Sequence, residues 1–196
     1  MVKTRAHNIL TTNPNIVCFK HKIPISHQPD FNFNDFLKSL VFDHYFEQTN
    51  RYTAYFSDFF YTYGCTTHCP NPIKGNIFIK EMINLIVKLF PEVIINSVLV
   101  NYYPENKSNM KYHSDDEVEI VDSSYIFTLS LGSSRLIAFR RRGTGPGLDV
   151  CRVLLQNWDL LIFSKQSQTK FKHSILADGS NPVSDNRLSL SFRQIE

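Results

Sequence analysis

His113-Ser-Asp115, followed far downstream by His173 and then by Arg187 and Arg193, is the set of residues in this chain best suited to chemistry. Side chains two apart in an extended segment share a face, so the imidazole of His113 and the carboxylate of Asp115 project together. Two histidines and one carboxylate around a metal, with the remaining positions open, form the ligand set of non-haem Fe(II) oxygenases, in which oxygen and a reductant occupy the free sites. In Phe171-Lys-His173-Ser-Ile175 the odd positions share one strand face, which turns His173 toward the same apolar interior as Phe171 and Ile175. Taken alone, a histidine there also reads as a hydrogen-bonded core residue.

Arg187-Leu-Ser-Leu-Ser-Phe-Arg193 alternates in the same way, with Leu188, Leu190 and Phe192 on one face and both arginines, Ser189 and Ser191 on the other. That second face is too polar for ordinary core. Six strand residues rise roughly 20 Å, and an arginine reaches about 6 to 7 Å inward by its bond lengths. The two guanidinium groups can therefore approach opposite ends of a short dicarboxylate, each with a planar fork of donors. A five-carbon keto-dicarboxylate suits that gap; two arginines on a solvated edge strand is the alternative.

The elements that must hold these residues are readable in outline. Asn32 or Asn34 can cap a helix over Asp35–Phe46, where apolar residues recur at three- and four-residue intervals. A second helix over Asn76–Phe90 carries Ile79, Met82, Ile83, Ile86, Val87 and Phe90 and stops before Pro91. Seven strands are expected after it, over Ile94–Tyr103, Ser124–Leu131, Arg135–Arg140, Val150–Leu155, Leu160–Ser164, Lys170–Ile175 and Arg187–Gln194. The fold class is α+β, mainly β: a double-stranded β-helix (jelly roll) braced by two helices. Residues 1–30, interrupted by Pro14, Pro24 and Pro29, are an arm or a sheet edge, and a polar loop from Ala177 to Asn186 belongs at the surface.

From about Tyr61 to the C-terminus the chain resembles the AlkB family of Fe(II)/2-oxoglutarate-dependent dioxygenases. The matching stretches are Asn101-Tyr-Tyr103, His113-Ser-Asp115-Asp-Glu117, Ser130-Leu-Gly-Ser-Ser-Arg135, Lys172-His173-Ser174 and Arg187-Leu-Ser-Leu-Ser-Phe-Arg193. The resemblance implies that His113, Asp115 and His173 ligate Fe(II) and form the catalytic centre. It implies that Asn101, Tyr103, Arg187 and Arg193 hold 2-oxoglutarate, with Arg187 on the distal carboxylate and Arg193 toward the end that chelates iron. Glu117 then meets the damaged base, Tyr63 belongs to the nucleotide-recognition lid, and Arg135 is a further substrate contact. The implied domain spans 1–196, with 1–60 as N-terminal extension and first helix, 61–93 as lid and second helix, and 94–196 as the jelly-roll core.

The implied reaction consumes O2 and 2-oxoglutarate, yields succinate and CO2, and hydroxylates an N-methyl group that leaves as formaldehyde. N1-methyladenine and N3-methylcytosine in RNA or single-stranded DNA are the expected substrates. Both are cationic, and a carboxylate such as Glu117 within about 4 to 6 Å favours the methylated form over the repaired one. The base must leave its stack, at a cost of a few kcal/mol in a duplex and less in a single strand. Phe59, Phe60, Tyr61 and Tyr63 are candidates to stack on it, each worth about 1 to 3 kcal/mol per base; among 16 phenylalanines and 9 tyrosines, core is their alternative place. The short length and Lys170-Phe-Lys-His173-Ser resemble the compact AlkB domains of plant RNA-virus replicases, which favours RNA. One departure is the turn Gln156-Asn157-Trp158-Asp159, where relatives usually have glycine; Asn157 is expected to take the left-handed conformation. Three other readings stay open: a 2-oxoglutarate oxygenase of proteins or small molecules, a silent nucleic-acid-binding module, and a zinc or structural protein.

Composition agrees with this picture. At 196 residues, 42% hydrophobic and 13% aromatic, the chain can bury one good core and is expected to be a monomer of one domain. No apolar run approaches the roughly 20 residues that span a bilayer, and Met-Val-Lys-Thr-Arg-Ala-His lacks a secretory apolar stretch. A soluble intracellular protein, cytoplasmic or nuclear, is expected. Cys18, Cys65, Cys69 and Cys151 read as free thiols. Cys65-Thr-Thr-His68-Cys69 has no second cluster following it at zinc-site spacing. The net charge of +3 is modest, but Arg140-Arg141-Arg142 beside Gly143-Thr-Gly-Pro-Gly147, with Lys20 and Lys22, suggests a basic rim around an acidic centre at Asp115, Asp116, Glu117 and Glu119.

Overall fold

The computed structural model describes residues 17–63, 66–105, 107–145, 147–177 and 186–196. The arm through residue 16, Cys65, Pro146 of the glycine turn and most of the expected 177–186 loop lie outside the described residues.

In chain order the elements are β1 (Cys18–Lys22), α1 (Phe33–Ser39), β2 (His44–Phe46), β3 (Arg51–Ser57), β4 (Tyr61–Tyr63), β5 (Thr66–His68), α2 (Ile77–Leu89) and β6 (Ser97–Tyr103). They continue with β7 (Met110–His113), β8 (Tyr125–Gly132), β9 (Arg135–Arg141), β10 (Asp149–Leu155), β11 (Asp159–Ser164), α3 (Lys165–Lys170), β12 (Phe171–Ile175) and β13 (Arg187–Arg193). The larger sheet runs β1-β11-β8-β13-β6-β3-β2, the smaller β10-β9-β12-β7, and β4 and β5 form a separate hairpin. All these strand pairs are antiparallel.

Alternation along the strands sets the layers. Leu188, Leu190 and Phe192 of β13 join Phe127, Leu129 and Leu131 of β8 on one face, against Phe36 of α1 and Ile79, Met82 and Ile86 of α2. Burying each such side chain contributes about 1.5 to 3 kcal/mol. The opposite face sends Leu99, Ile126, Leu161 and Phe163 against Ile137, Phe139, Phe171 and Ile175 of the smaller sheet. The larger sheet is thus the middle layer of a jelly roll, helices behind it and the smaller sheet in front.

Helix α2 follows its sequence signals. The Asn76 side chain accepts a hydrogen bond from the Ile79 amide at 3.1 Å, and the helix ends at Leu89, ahead of Pro91. The first helix is shorter than its periodicity predicts. It starts from the Asn32 cap but stops at Ser39; Leu40 is extended, and His44–Phe46 pairs with β3 instead of continuing the helix. The apolar spacing suits either state, and the free edge of β3 decides between them. Three helices are present among the described residues, not two: Ser164 caps α3 with its hydroxyl, and β12 begins only at Phe171.

Residues before 61, expected to be extension and helix, also supply β1, β2 and β3 to the larger sheet. Strand β3 is buried nearly throughout and lacks the alternation that marks a half-exposed strand. In the turn before β11 the left-handed residue is Trp158, with φ 64°, and not Asn157. The buried indole packs edge-on against Phe31 at 5.5 Å and Phe78 at 6.2 Å, which offsets the cost of that conformation. Asn157 instead accepts a hydrogen bond from the Gly132 amide at 3.0 Å. Gly132 itself is obligatory: at φ 81° a Cβ there would lie 2.4 Å from the Asn186 carbonyl oxygen.

Candidate metal centre

The ladder between β7 and β12 brings the two imidazoles together, because His113 and His173 are direct register partners. Their rings are 4.2 Å apart. Asp115 lies just beyond β7, its Oδ1 3.4 Å from His113 Nε2, and ligand atoms of His113, Asp115 and His173 all fall within 4.8 Å of one another. His113 Nδ1 donates to the Lys111 carbonyl at 2.8 Å, which orients the ring so that Nε2 faces the carboxylate. Buried His173 has an Nδ1 with no partner. Phe163 and Phe139 wall its ring at 5.4 and 6.1 Å.

The electrostatics keep the ligands in their coordinating forms. Burial and the neighbouring His113 push His173 down to about 3, so its imidazole is neutral. Burial opposes ionisation of Asp115, but Arg193, the His113 hydrogen bond and His173 hold its carboxyl well below the usual range. Arg193 Nη2 donates to Asp115 Oδ2 at 2.7 Å, and Nη1 donates to the Tyr61 hydroxyl at 2.7 Å. Gln168 of α3 steadies the same segment by accepting from the Asp115 amide at 3.1 Å.

Arg187, at the other end of β13, is differently placed. It is fully buried, its Nε donates to Ser130 Oγ at 3.1 Å, and it stacks over the Tyr103 ring at 5.2 Å. Nη1 and Nη2 have no hydrogen-bond partner. Burial lowers this guanidinium to about 10, still charged at neutral pH. A buried cation with its donor fork unused suits a planar bidentate anion, and Arg187 is not itself among the residues lining the neighbouring cavity. Asn101 and Tyr103 on β6, Ser189 and Ser191 on β13, and Arg193 line the cavity that also holds His113, Asp115 and His173.

Of the expected substrate contacts, Tyr63 lies edge-on to His113 at 5.9 Å and lines the same cavity. Glu117 is half-buried, with Oε2 unpartnered. Burial and the charge of Asp115 raise it to about 7. Its loop is pinned by buried Lys165, whose Nζ donates to the Glu117 carbonyl at 2.7 Å. Arg135 is buried outside that cavity lining, donating from Nη2 to the Glu105 carbonyl at 2.7 Å. Phe59 and Phe60 are exposed, whereas Tyr61 is buried.

The expected basic rim is largely neutralised. Arg140 pairs with Asp149 at 3.3 Å, Arg142 with Asp116, and Lys20 and Lys22 both close on buried Asp159, at 3.3 and 3.4 Å. Lysine stems and arginine forks span strand ends in ways that a linear charge count does not register. Sequence reasoning also missed Arg51, a buried cation on β3 that lines the cavity, donates to Asn101 Oδ1 and stacks over Phe46 at 4.2 Å. Nothing in its local sequence marks it, since β3 itself went unread.

Residues 46–193 match the model of the 2OG-Fe(II) oxygenase superfamily. The chain belongs to that superfamily. It is AlkB-like within it: it is 31% identical over 140 residues to the DNA oxidative demethylase ALKBH2 of Bos taurus, covering 69% of this chain and 49% of that protein. It is 27% identical over 154 residues to the alpha-ketoglutarate-dependent dioxygenase alkB homolog 3 of Homo sapiens, covering 76% and 52%. The chain thus spans about half the length of these curated relatives. A solved structure of OsALKBH1 shares the fold, with TM-score 0.53 and 18% identity over 78% of this chain and 83% of that one.

The residues present fit the two groups for which the superfamily is named. Two imidazoles and a carboxylate held ionised, with unshared space beside them, suit Fe(II). The idle fork of Arg187 suits a carboxylate of 2-oxoglutarate. Cys69 and Cys151 are free thiols, and among the described residues no helix is long and apolar enough to cross a membrane.

Proposed function

We propose that this chain is an Fe(II)/2-oxoglutarate-dependent dioxygenase that removes N-methyl groups from bases such as N1-methyladenine and N3-methylcytosine in RNA or single-stranded DNA. The observation that carries the reading is the meeting of the His113, Asp115 and His173 donors beside a cavity whose flanking strand ends in a buried guanidinium with two unused nitrogens. The name of the Bos taurus relative, a DNA oxidative demethylase, supports a nucleic-acid substrate, and that of the Homo sapiens relative supports the co-substrate.

His113, Asp115 and His173 would hold iron, which with 2-oxoglutarate and O2 supplies the oxidation of a substrate methyl C–H bond. Arg187 takes the distal carboxylate of the co-substrate in a bidentate clamp, and Ser130 keeps its fork oriented. Arg193 compensates the Asp115 charge, so that the carboxylate stays ionised and aimed. Tyr63 offers a ring face beside His113 on which a flipped base can stack.

Glu117 supplies selectivity by charge. Its unpartnered oxygen favours a cationic methylated base over the neutral product, and loss of that positive charge on repair weakens product binding. The test is mass spectrometry of matched methylated RNA and DNA oligonucleotides incubated with iron, ascorbate and 2-oxoglutarate. Demethylated product from wild type that falls at least a hundredfold in His113→Ala supports the reading. Equal product from both, or co-substrate turnover that no methylated oligonucleotide stimulates, overturns it.

A further inference from the structure

A second cluster of metal-ligating side chains lies outside the centre described above. Asp43, at the entry to β2, His44 on β2 and His68 at the end of β5 bring ligand atoms within 4.8 Å of one another. Asp43 Oδ2 sits 2.6 Å from His68 Nδ1 and 3.9 Å from His44 Nε2, and the two rings meet edge-on at 5.1 Å. The linear sequence offers Cys65-Thr-Thr-His68-Cys69 no following partner pair. Folding supplies one from upstream, because the β4–β5 hairpin docks on the edge strand that carries Asp43 and His44.

We propose that Asp43, His44 and His68 form a second divalent-metal site, of zinc type, that clasps the β4–β5 hairpin to the edge of the larger sheet. Two imidazoles and a carboxylate with a water completing a tetrahedron are an ordinary zinc donor set, and imidazole-rich sites hold zinc more tightly than ferrous iron. In the metal-free arrangement His68 Nδ1 donates to Asp43, and His44 Nε2 donates to the Thr67 carbonyl at 3.1 Å. Zinc replaces those two hydrogens, each ring then carrying its proton on the other nitrogen. Asp43 is held in place for this by the Thr53 hydroxyl, which donates to Oδ1 at 2.9 Å and leaves Oδ2 for the metal.

The position gives the clasp a consequence. The hairpin carries Tyr63, which reaches His113, and the His68 ring lies parallel to Tyr61 at 6.1 Å; the Tyr61 hydroxyl accepts from Arg193. A metal on His68 therefore stiffens the wall of the catalytic cavity. His44 is about one-third exposed, so an ion can enter from solvent.

The test titrates chelator-stripped full chain with zinc and counts bound metal after desalting, with hydrogen exchange of the 61–68 hairpin as the second readout. Zinc can also occupy the His113 centre, so wild type should bind two ions, His44→Ala one, His113→Ala one, and the double variant none. Exchange in the hairpin should slow about tenfold on zinc addition in wild type and in His113→Ala, and stay unchanged in His44→Ala. His44 is a surface residue, so that variant should fold, and circular dichroism checks it. A single ion that is lost in His44→Ala and kept in His113→Ala would still support this site while counting against the ferrous one. A single ion lost only in His113→Ala, or hairpin exchange indifferent to zinc, overturns the proposal.

Discussion

The two ends of β13 carry the same residue type on the same face and do opposite things. Arg193 has its fork engaged: Asp115 and Tyr61 take the terminal nitrogens, only Nε lacks a partner, and burial is offset by charge. Arg187 is equally buried, yet only Nε is engaged and its fork is idle. A folded protein tolerates one buried ion pair cheaply but holds an unpaired buried cation at a cost of several kcal/mol. The difference teaches that Arg193 is tied into the centre by its neighbours, whereas the fork of Arg187 is left open for the ligand proposed above.

The largest expected effect breaks the ion-paired end. Arg193→Ala strands the buried Asp115 carboxylate and should destabilise the metal-free protein by about 3 to 5 kcal/mol, measured by urea unfolding. The pH dependence of that loss sharpens the point. In wild type the folded-state Asp115 lies below its unfolded value, so its contribution is present above about pH 4 and is lost as pH falls further. Without Arg193, burial dominates and raises the group, so the penalty should shrink as pH falls from 7 toward 4; a pH-independent penalty would show that the ion pair is not its source.

Arg187→Ala should do the reverse. It relieves the cost of an unpaired buried charge, so the metal-free protein should be at least as stable as wild type by urea unfolding, while the 2-oxoglutarate concentration for half-maximal turnover should rise about 10- to 100-fold. That range corresponds to losing a charge-assisted bidentate contact of about 1.5 to 3 kcal/mol. An unchanged co-substrate requirement would remove Arg187 from the binding pocket. The smallest effect is at Ser130→Ala, which loses one hydrogen bond to Nε and should raise the co-substrate requirement about two- to fivefold, near the 0.5 to 1 kcal/mol of a single such bond. If Ser130→Ala matches Arg187→Ala in size, the fork is positioned by Ser130 alone and not also by the Tyr103 ring.

Much of this arrangement could be read from the chain because strand alternation is local. Leu188, Leu190 and Phe192 pack on α2 while Arg187 and Arg193 face the other way, as the two-residue period requires. His173 shares its face with Phe171 and Ile175 for the same reason. Helix α2 was readable from its apolar spacing and following proline. Where local signals were degenerate the reading failed: residues 40–46 fit a helical period, yet pairing with β3 makes part of them a strand. A polar run such as Arg140-Arg141-Arg142 looks like a free basic patch until its acidic partners come from elsewhere.

By itself the sequence determined which side chains share a strand face, where α2 runs and stops, and which donor types are present, since these depend on neighbours a few bonds away. Only the tertiary structure decided that His113 and His173 stand directly opposite, that Arg193 neutralises Asp115 while Arg187 goes unpaired, and that Asp43 and His44 meet His68. Those outcomes depend on register and on burial, and both are set by contacts between segments far apart along the chain.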